Sequence, residues 1–249
     1  MIRVGIIGFG TVGRGTYRIL QENSRLIKER TGLNVVVKRI AEINPDRING
    51  TDVKKEILTR DALELINDKD IDIVVELIGG KTVAFDYIIH AIKNKKAVIT
   101  ANKALLAEKG GEIFALAARY KVPIGFEASV CGGIPVIRAV KEGLVANKIT
   151  SIMGILNGTS NYIMTKMAEE AKPFKDVLKD AQRLGFAELD PTYDIEGIDA
   201  AHKLCILINL SFGCKISLND ITIKGISGIE PVDIEFAREF GYKIKLLAI

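Results

Sequence analysis

Short apolar runs alternate with amphipathic stretches through the first half of the chain. Ile2–Ile7, Leu33–Ile43, Ile71–Leu77, Ala97–Ala101 and Val122–Phe126 are nearly unbroken runs of aliphatic side chains, the pattern of strands buried on both faces. Between them, Thr11 to about Lys28, Val83–Lys93 and Glu108–Tyr120 repeat apolar residues at helical spacing. Strands alternating with helices of this length predict an α/β fold built on a doubly wound parallel sheet.

After about residue 130 the pattern changes. Ile149–Leu156 reads as a strand and Ser160–Ala171 and Phe174–Leu184 as helices, with Gly185 as a helix stop. A polar, turn-rich segment from Phe186 to Asp194 leads into a long apolar helix over Ile195–Leu210. This predicts two joined domains: a dinucleotide-binding domain over 1–130 and a smaller α+β domain over 131–249. Tyr242–Ile249 reads as a strand with no closing turn, so the chain is expected to be a C-terminally trimmed piece of a longer protein.

Composition narrows the function classes. Across 249 residues, 48% are hydrophobic and 27% charged, and the formal net charge of +4 is spread over interspersed signs. Lys93-Asn94-Lys95-Lys96 is the densest basic run and reads as a solvated face, so no nucleic-acid partner is expected. No apolar stretch reaches the ~18 residues of a membrane helix, and no signal peptide is visible. Cys131, Cys205 and Cys214 are an odd set without metal-ligand spacing, as suits a reducing compartment. The expected location is the cytoplasm.

Gly8-Phe9-Gly10-Thr11-Val12-Gly13 carries the first clear chemistry. It follows a strand and opens a helix, the context in which G-x-G-x-x-G binds a dinucleotide pyrophosphate and marks a Rossmann-type fold. Glu42, at the end of the second apolar strand, favours NAD by meeting the ribose hydroxyls, whereas Arg39 and Arg47 nearby favour the phosphate of NADP. The sequence leaves the two cofactors open. Glu76-Leu77-Ile78-Gly79-Gly80 and Thr100-Ala101-Asn102-Lys103 end the next two strands, so Gly79, Gly80, Thr100 and Lys103 are expected on the nicotinamide side. Lys103 reads equally as a surface lysine.

Asp199 and Lys203 stand at i, i+4 on a helix that is apolar nearly all round. A structural ion pair is one reading. A costly buried pair near a cofactor favours a functional one, while His202 reads as structural. The segment from Glu127 to Pro135 joins the two halves. It offers a carboxylate and glycine-freed carbonyls to a hard cation, or serves as a plain hinge.

These segments together resemble homoserine dehydrogenase, in family order: the glycine turn, Thr100-Ala101-Asn102-Lys103, Glu127 through Pro135, Asn157-Gly158-Thr159-Ser160-Asn161-Tyr162, and Gly185 through Pro191 running into Gly197-Ile198-Asp199-Ala200-Ala201-His202-Lys203. The resemblance implies NAD(P)-dependent interconversion of L-homoserine and aspartate 4-semialdehyde, on the route to threonine and methionine. It casts Lys203, with Asp199, as catalytic. Glu188, Asp199, Lys103 and Thr159 become the substrate-binding residues. Glu127 and the main-chain oxygens of Val130, Gly132 and Ile134 become a monovalent cation site, taken as sodium. It also implies a homodimer formed through the second domain. The family carries further segments after this region, and many members place an arginine where this chain has Ile43 and Asn44.

Two other readings compete. A related semialdehyde oxidoreductase of the phosphorylating type needs a nucleophilic cysteine, for which Cys131 is the candidate. A non-catalytic dinucleotide-binding fragment needs neither Lys203 nor Asp199.

Overall fold

Six strands, β1 (Ile2–Ile7), β2 (Val35–Ala41), β3 (Leu58–Thr59), β4 (Ile73–Glu76), β5 (Ala97–Thr100) and β6 (Ile124–Gly125), form one sheet. They lie in the order β3-β2-β1-β4-β5-β6, and every neighbouring pair is parallel. Parallel neighbours require a crossover. Helices α1 (Thr11–Glu22), α2 (Ser24–Thr31), α3 (Ala62–Asn67), α4 (Thr82–Lys93) and α5 (Lys103–Tyr120) lie in the connections. Because all six strands are parallel, the turns after β1, β2, β4 and β5 all open on the same, carboxyl edge of the sheet, and the winding reverses between β1 and β4. That edge is where such folds hold ligands. The computed structural model describes residues 1–249, which divide into two units, 1–133 and 134–249.

Val4, Ile6, Phe9, Tyr17, Val37, Ile40 and Val75 make a buried cluster beneath the strands. The expected single helix from Thr11 to Lys28 is instead two. Asn23 leaves helical geometry at φ −100°, ψ 14° and ends α1, and Ser24 begins α2. The cause is local: Gln21 to Ser24 offers no apolar anchor, and Asn and Ser compete for backbone hydrogen bonds in ways that favour helix ends.

The amino edge of the sheet is held by charge. The Arg3 amide donates to the Asp72 carboxylate at 2.7 Å, and Lys38 bridges Asp68 and Asp70 at 3.0 and 2.8 Å. Lys96 is buried there, donating to the carbonyls of Asp68 and Ile71 at 2.6 Å each. Burial pushes its pKa below the ordinary lysine value.

The second unit is helical: α6 (Val136–Arg138), running on into a π-helical turn over Ala139–Gly143, then α7 (Gly158–Glu170), α8 (Phe174–Arg183), α9 (Thr192–Ile195), α10 (Ile198–Phe212) and α11 (Pro231–Glu239). Its core gathers Ile163, Met164, Met167, Val177, Ala181 and Ile226. The strands expected over Ile149–Leu156 and Tyr242–Ile249 are not ladders. They meet at one antiparallel bridge, Gly154 to Ala248, with N–H···O distances of 3.0 and 2.9 Å. Apolar alternation predicts an extended backbone, but a strand also needs a neighbour in register. Here the two segments face each other over a single pair, so the α+β expectation for this unit reduces to that bridge.

Candidate active site

The first site lies at the end of β1. Gly8 turns the chain at φ +94°, where a Cβ would stand 2.8 Å from the Leu77 carbonyl carbon and oxygen. A Cβ on Gly13 would stand 2.2 Å from the Gly8 carbonyl oxygen, so α1 packs against the turn at a distance only glycine permits. Gly10 has nothing within 4 Å of its would-be Cβ. The backbone there is bare on its outer side, as a pyrophosphate approaching the main chain requires. The first turn of α1, with Thr11 and Val12 exposed, supplies N–H groups without intrahelical partners and the positive end of the helix dipole. These residues fit a dinucleotide phosphate.

Two buried carboxylates flank this turn. Glu42, just past β2, is 7% exposed. Its Oε2 accepts the Phe9 amide at 2.7 Å and its Oε1 the Asn44 amide at 2.9 Å, with the Arg47 guanidinium 3.3 Å from Oε2. Burial alone would raise its pKa, yet the two amides and Arg47 hold it below the ordinary value. The carboxylate expected at the ribose is therefore engaged with main chain.

Glu76 ends β4. It accepts the Ile78 amide at 2.9 Å and the Thr100 hydroxyl at 2.7 Å. Burial outweighs these bonds and pushes its pKa up. Thr100, expected at the cofactor, is itself fully buried under the loop and accepts the Asn102 amide at 3.0 Å. Asn102 caps α5 by accepting the Leu105 amide and donates to the Gly80 carbonyl at 2.6 Å. Gly79 and Gly80, both at positive φ, are thereby tied to the start of α5, where Lys103 sits half-buried.

The second unit builds a separate cluster. Gly197, left-handed at φ +80°, separates α9 from α10, and Asp199 and Lys203 occupy successive turns of α10. Lys203 Nζ donates to Asp199 Oδ2 at 2.6 Å and to the Leu156 carbonyl at 2.7 Å. The side chains are 18% and 8% exposed for Lys203 and Asp199, so the pair is largely shielded from water. Asn157 completes it. Its Nδ2 donates to Asp199 Oδ2 at 2.8 Å and to Asp194 Oδ1 at 2.7 Å. Its Oδ1 accepts both the amide and the hydroxyl of Ser160 at 2.8 Å, capping α7. Asn157, Thr159, Tyr162, Asp194, Asp199 and Lys203 line one cleft of about 720 Å³, which Phe186 also borders. Phe186 stacks on Tyr162 at 4.4 Å between ring centroids, and its carbonyl accepts the Thr159 hydroxyl at 2.9 Å.

The expected residues do not all converge. Asp199, Lys203 and Thr159 share the cleft, whereas Glu188 is exposed on the turn after Phe186 and does not line it. Glu127 begins a short 3-10 turn, Val130 is buried, and Cys131 and Gly132 follow at φ +60° and +55°. Ile134, which opens the second unit, already accepts the Val136 amide on its carbonyl at 2.8 Å. Sequence pattern alone does not mark Asn157 and Asp194 as site residues. For Asn157 the signal was present: an asparagine directly before a helical run is a favoured N-cap. The use of its other amide atom on two carboxylates has no counterpart in the local sequence.

Family models describe both units. Residues 8–127 match homoserine dehydrogenase, NAD binding domain, and residues 135–249 match homoserine dehydrogenase. The chain is 45% identical over 248 residues to the homoserine dehydrogenase of Bacillus subtilis, covering all of this chain and 57% of that protein. A crystal structure of a homoserine dehydrogenase from Thiobacillus denitrificans superposes with a TM-score of 0.94 at 48% identity, covering 99% of this chain and 57% of that one. A putative homoserine dehydrogenase from Archaeoglobus fulgidus gives 0.89 at 35% identity, covering 99% of this chain and 79% of that one. The chain thus spans little more than half the length of several relatives and most of another. With both units matched in order across almost every residue, this chain belongs to the homoserine dehydrogenase family.

Proposed function

We propose that the chain carries NAD(P)-dependent oxidation of L-homoserine to aspartate 4-semialdehyde and the reverse reduction, in threonine and methionine biosynthesis. One observation carries the reading: a shielded lysine–aspartate pair lines a polar cleft, in a chain whose other unit holds a dinucleotide turn. A pair of this kind is rarely retained for stability alone.

A bound nicotinamide dinucleotide supplies the hydride acceptor or donor. In the first unit, Gly8, Phe9, Gly10, Thr11, Val12 and Gly13 form its pyrophosphate turn. Gly79, Gly80, Thr100 and Lys103 shape the nicotinamide side. In the second unit, Lys203 takes the hydroxyl proton during oxidation and returns it during reduction. As the neutral amine Lys203 keeps two N–H donors for Asp199 and Leu156 and a lone pair for the substrate hydroxyl proton; as the ammonium its third donor serves the substrate oxygen. There it offsets the negative charge that grows as the carbonyl is reduced. Asp199 orients Lys203 and binds the substrate α-ammonium group. Thr159 contributes a hydroxyl at the same wall. Homodimerisation is assigned to the second unit, where Leu144, Val145, Met153 and Ile155 leave apolar side chains exposed.

The test is homoserine-dependent reduction of NAD and of NADP, followed by absorbance. The unmutated chain is expected to turn over. Lys203→Ala is expected to lose about a thousandfold in kcat, within the range for a positioned acid/base, while still binding the dinucleotide. Binding without turnover in the unmutated chain favours the non-catalytic reading. Turnover insensitive to a thiol alkylator excludes the phosphorylating type.

A further inference from the structure

The end of β2 is where a dinucleotide fold of this kind places the carboxylate that holds the adenosine ribose hydroxyls. Glu42 stands at that place, yet its geometry serves a different purpose. Oε2 is 2.7 Å from the Phe9 amide, the second residue of the glycine turn, and Oε1 is 2.9 Å from the Asn44 amide. The carboxylate is 2% exposed, and the one charged side chain bound to it is Arg47, itself 50% exposed. The backbone beneath it is equally fixed. The Glu42 amide donates to the Thr59 carbonyl at 3.0 Å, and the Gly8 amide donates to the Ala41 carbonyl at 2.9 Å. With the carboxylate 2% exposed and its oxygens engaged by two main-chain amides and Arg47, a ribose hydroxyl has no open approach to Glu42.

From this geometry we infer that Glu42 is a positioning residue of the glycine turn and not a ribose ligand. By taking the Phe9 amide it ties the turn to the end of β2, and the turn is left to present the amides from Gly10 onward to the pyrophosphate. Phe9 is fully buried, edge-on to Tyr17 at 5.8 Å, so the same bond sets where its ring enters the core. Discrimination between NAD and NADP then falls to groups that remain exposed there, Ile43, Asn44 and Arg47.

This inference rests on the dinucleotide reading of the turn. Glu42→Gln keeps one acceptor and removes the charge. It is expected to weaken NADH and NADPH by the same factor, about tenfold for one charge-assisted bond, in a fluorescence titration. The ratio of the two affinities stays within about twofold. A merely structural role lowers thermal stability and leaves both affinities of the folded protein unchanged, which overturns the inference. A ribose-binding role costs NADH far more than NADPH, and a change of tenfold or more in the ratio overturns it equally. If the variant does not fold, the unmutated protein decides. ADP and 2′-deoxy-ADP binding within tenfold of each other supports the inference, and a larger loss refutes it. Failure of the unmutated protein to bind any of these ligands refutes the dinucleotide reading itself and this inference with it.

Discussion

Replacing Asn157 by alanine removes four hydrogen bonds at one stroke, and they differ in kind. Two are the cap of α7, accepted by Oδ1 from Ser160; losing an asparagine N-cap costs about 1 kcal/mol. A third is the donation to Asp199 Oδ2 at 2.8 Å. Because Asp199 is buried, its loss costs about 1.5–3 kcal/mol, the range for a bond to a charged group. The fourth goes to Asp194, which is only half-buried and can be rehydrated, so it adds little. The sum is about 3 kcal/mol, nearer the lower bound because Lys203 still holds Asp199. Urea unfolding of the second unit's signal measures it. Asn157→Ser separates the parts, since serine keeps a cap acceptor and loses the donors; it should recover about 1 kcal/mol of the loss. A cost below about 1 kcal/mol for Asn157→Ala, or equal costs for the two variants, refutes this division of labour.

Gly13→Ala should abolish dinucleotide binding and cost about 1–3 kcal/mol, because the new Cβ meets a main-chain oxygen that cannot rotate away; calorimetric titration and melting read both. The two buried glutamates should give pH dependences of opposite sign. Glu42 has a lowered pKa when folded, so it stabilises above the unfolded value of ~4.3. That contribution is lost as pH falls through the folded value. Glu76 has a raised pKa, so its contribution is present below the unfolded value and is lost as pH rises through the folded one. Stability measured from acid to neutral pH should therefore rise less steeply in Glu42→Gln than in the unmutated protein and more steeply in Glu76→Gln. Parallel curves for the two variants would contradict the assignment.

The parallel sheet was readable because each central strand is a continuous apolar run, Ile6 and Val75 being as buried as their neighbours on the other face. The glycine turn was readable for another reason: its spacing is dictated by steric contacts within a few residues. What escaped depends on partners distant in sequence. β3 is two residues long and exists only beside Ile40 and Ala41. The Ile149–Leu156 segment has strand-like alternation, but its one partner lies at Ala248. The acidic residue after β2 is legible in the sequence, and the direction of its side chain is not, because the Phe9 amide that captures it lies 33 residues earlier. Asp199 and Lys203 were legible as a pair through helical periodicity, while Asn157, brought to them from 42 residues away, was legible only as a cap.

The sheet also keeps two kinds of bonding at opposite ends of the same strands. At the amino edge, Arg3, Lys38, Asp68, Asp70 and Lys96 bind one another and the strand ends through charge. At the carboxyl edge, buried glutamates hold main-chain amides of the loops. The partly exposed amino-edge pairs weaken in salt, whereas the shielded carboxyl-edge bonds do not follow ionic strength closely. Salt tolerance and thermal tolerance can therefore be adjusted at one edge, residue by residue, without redrawing the surface that meets a nucleotide at the other.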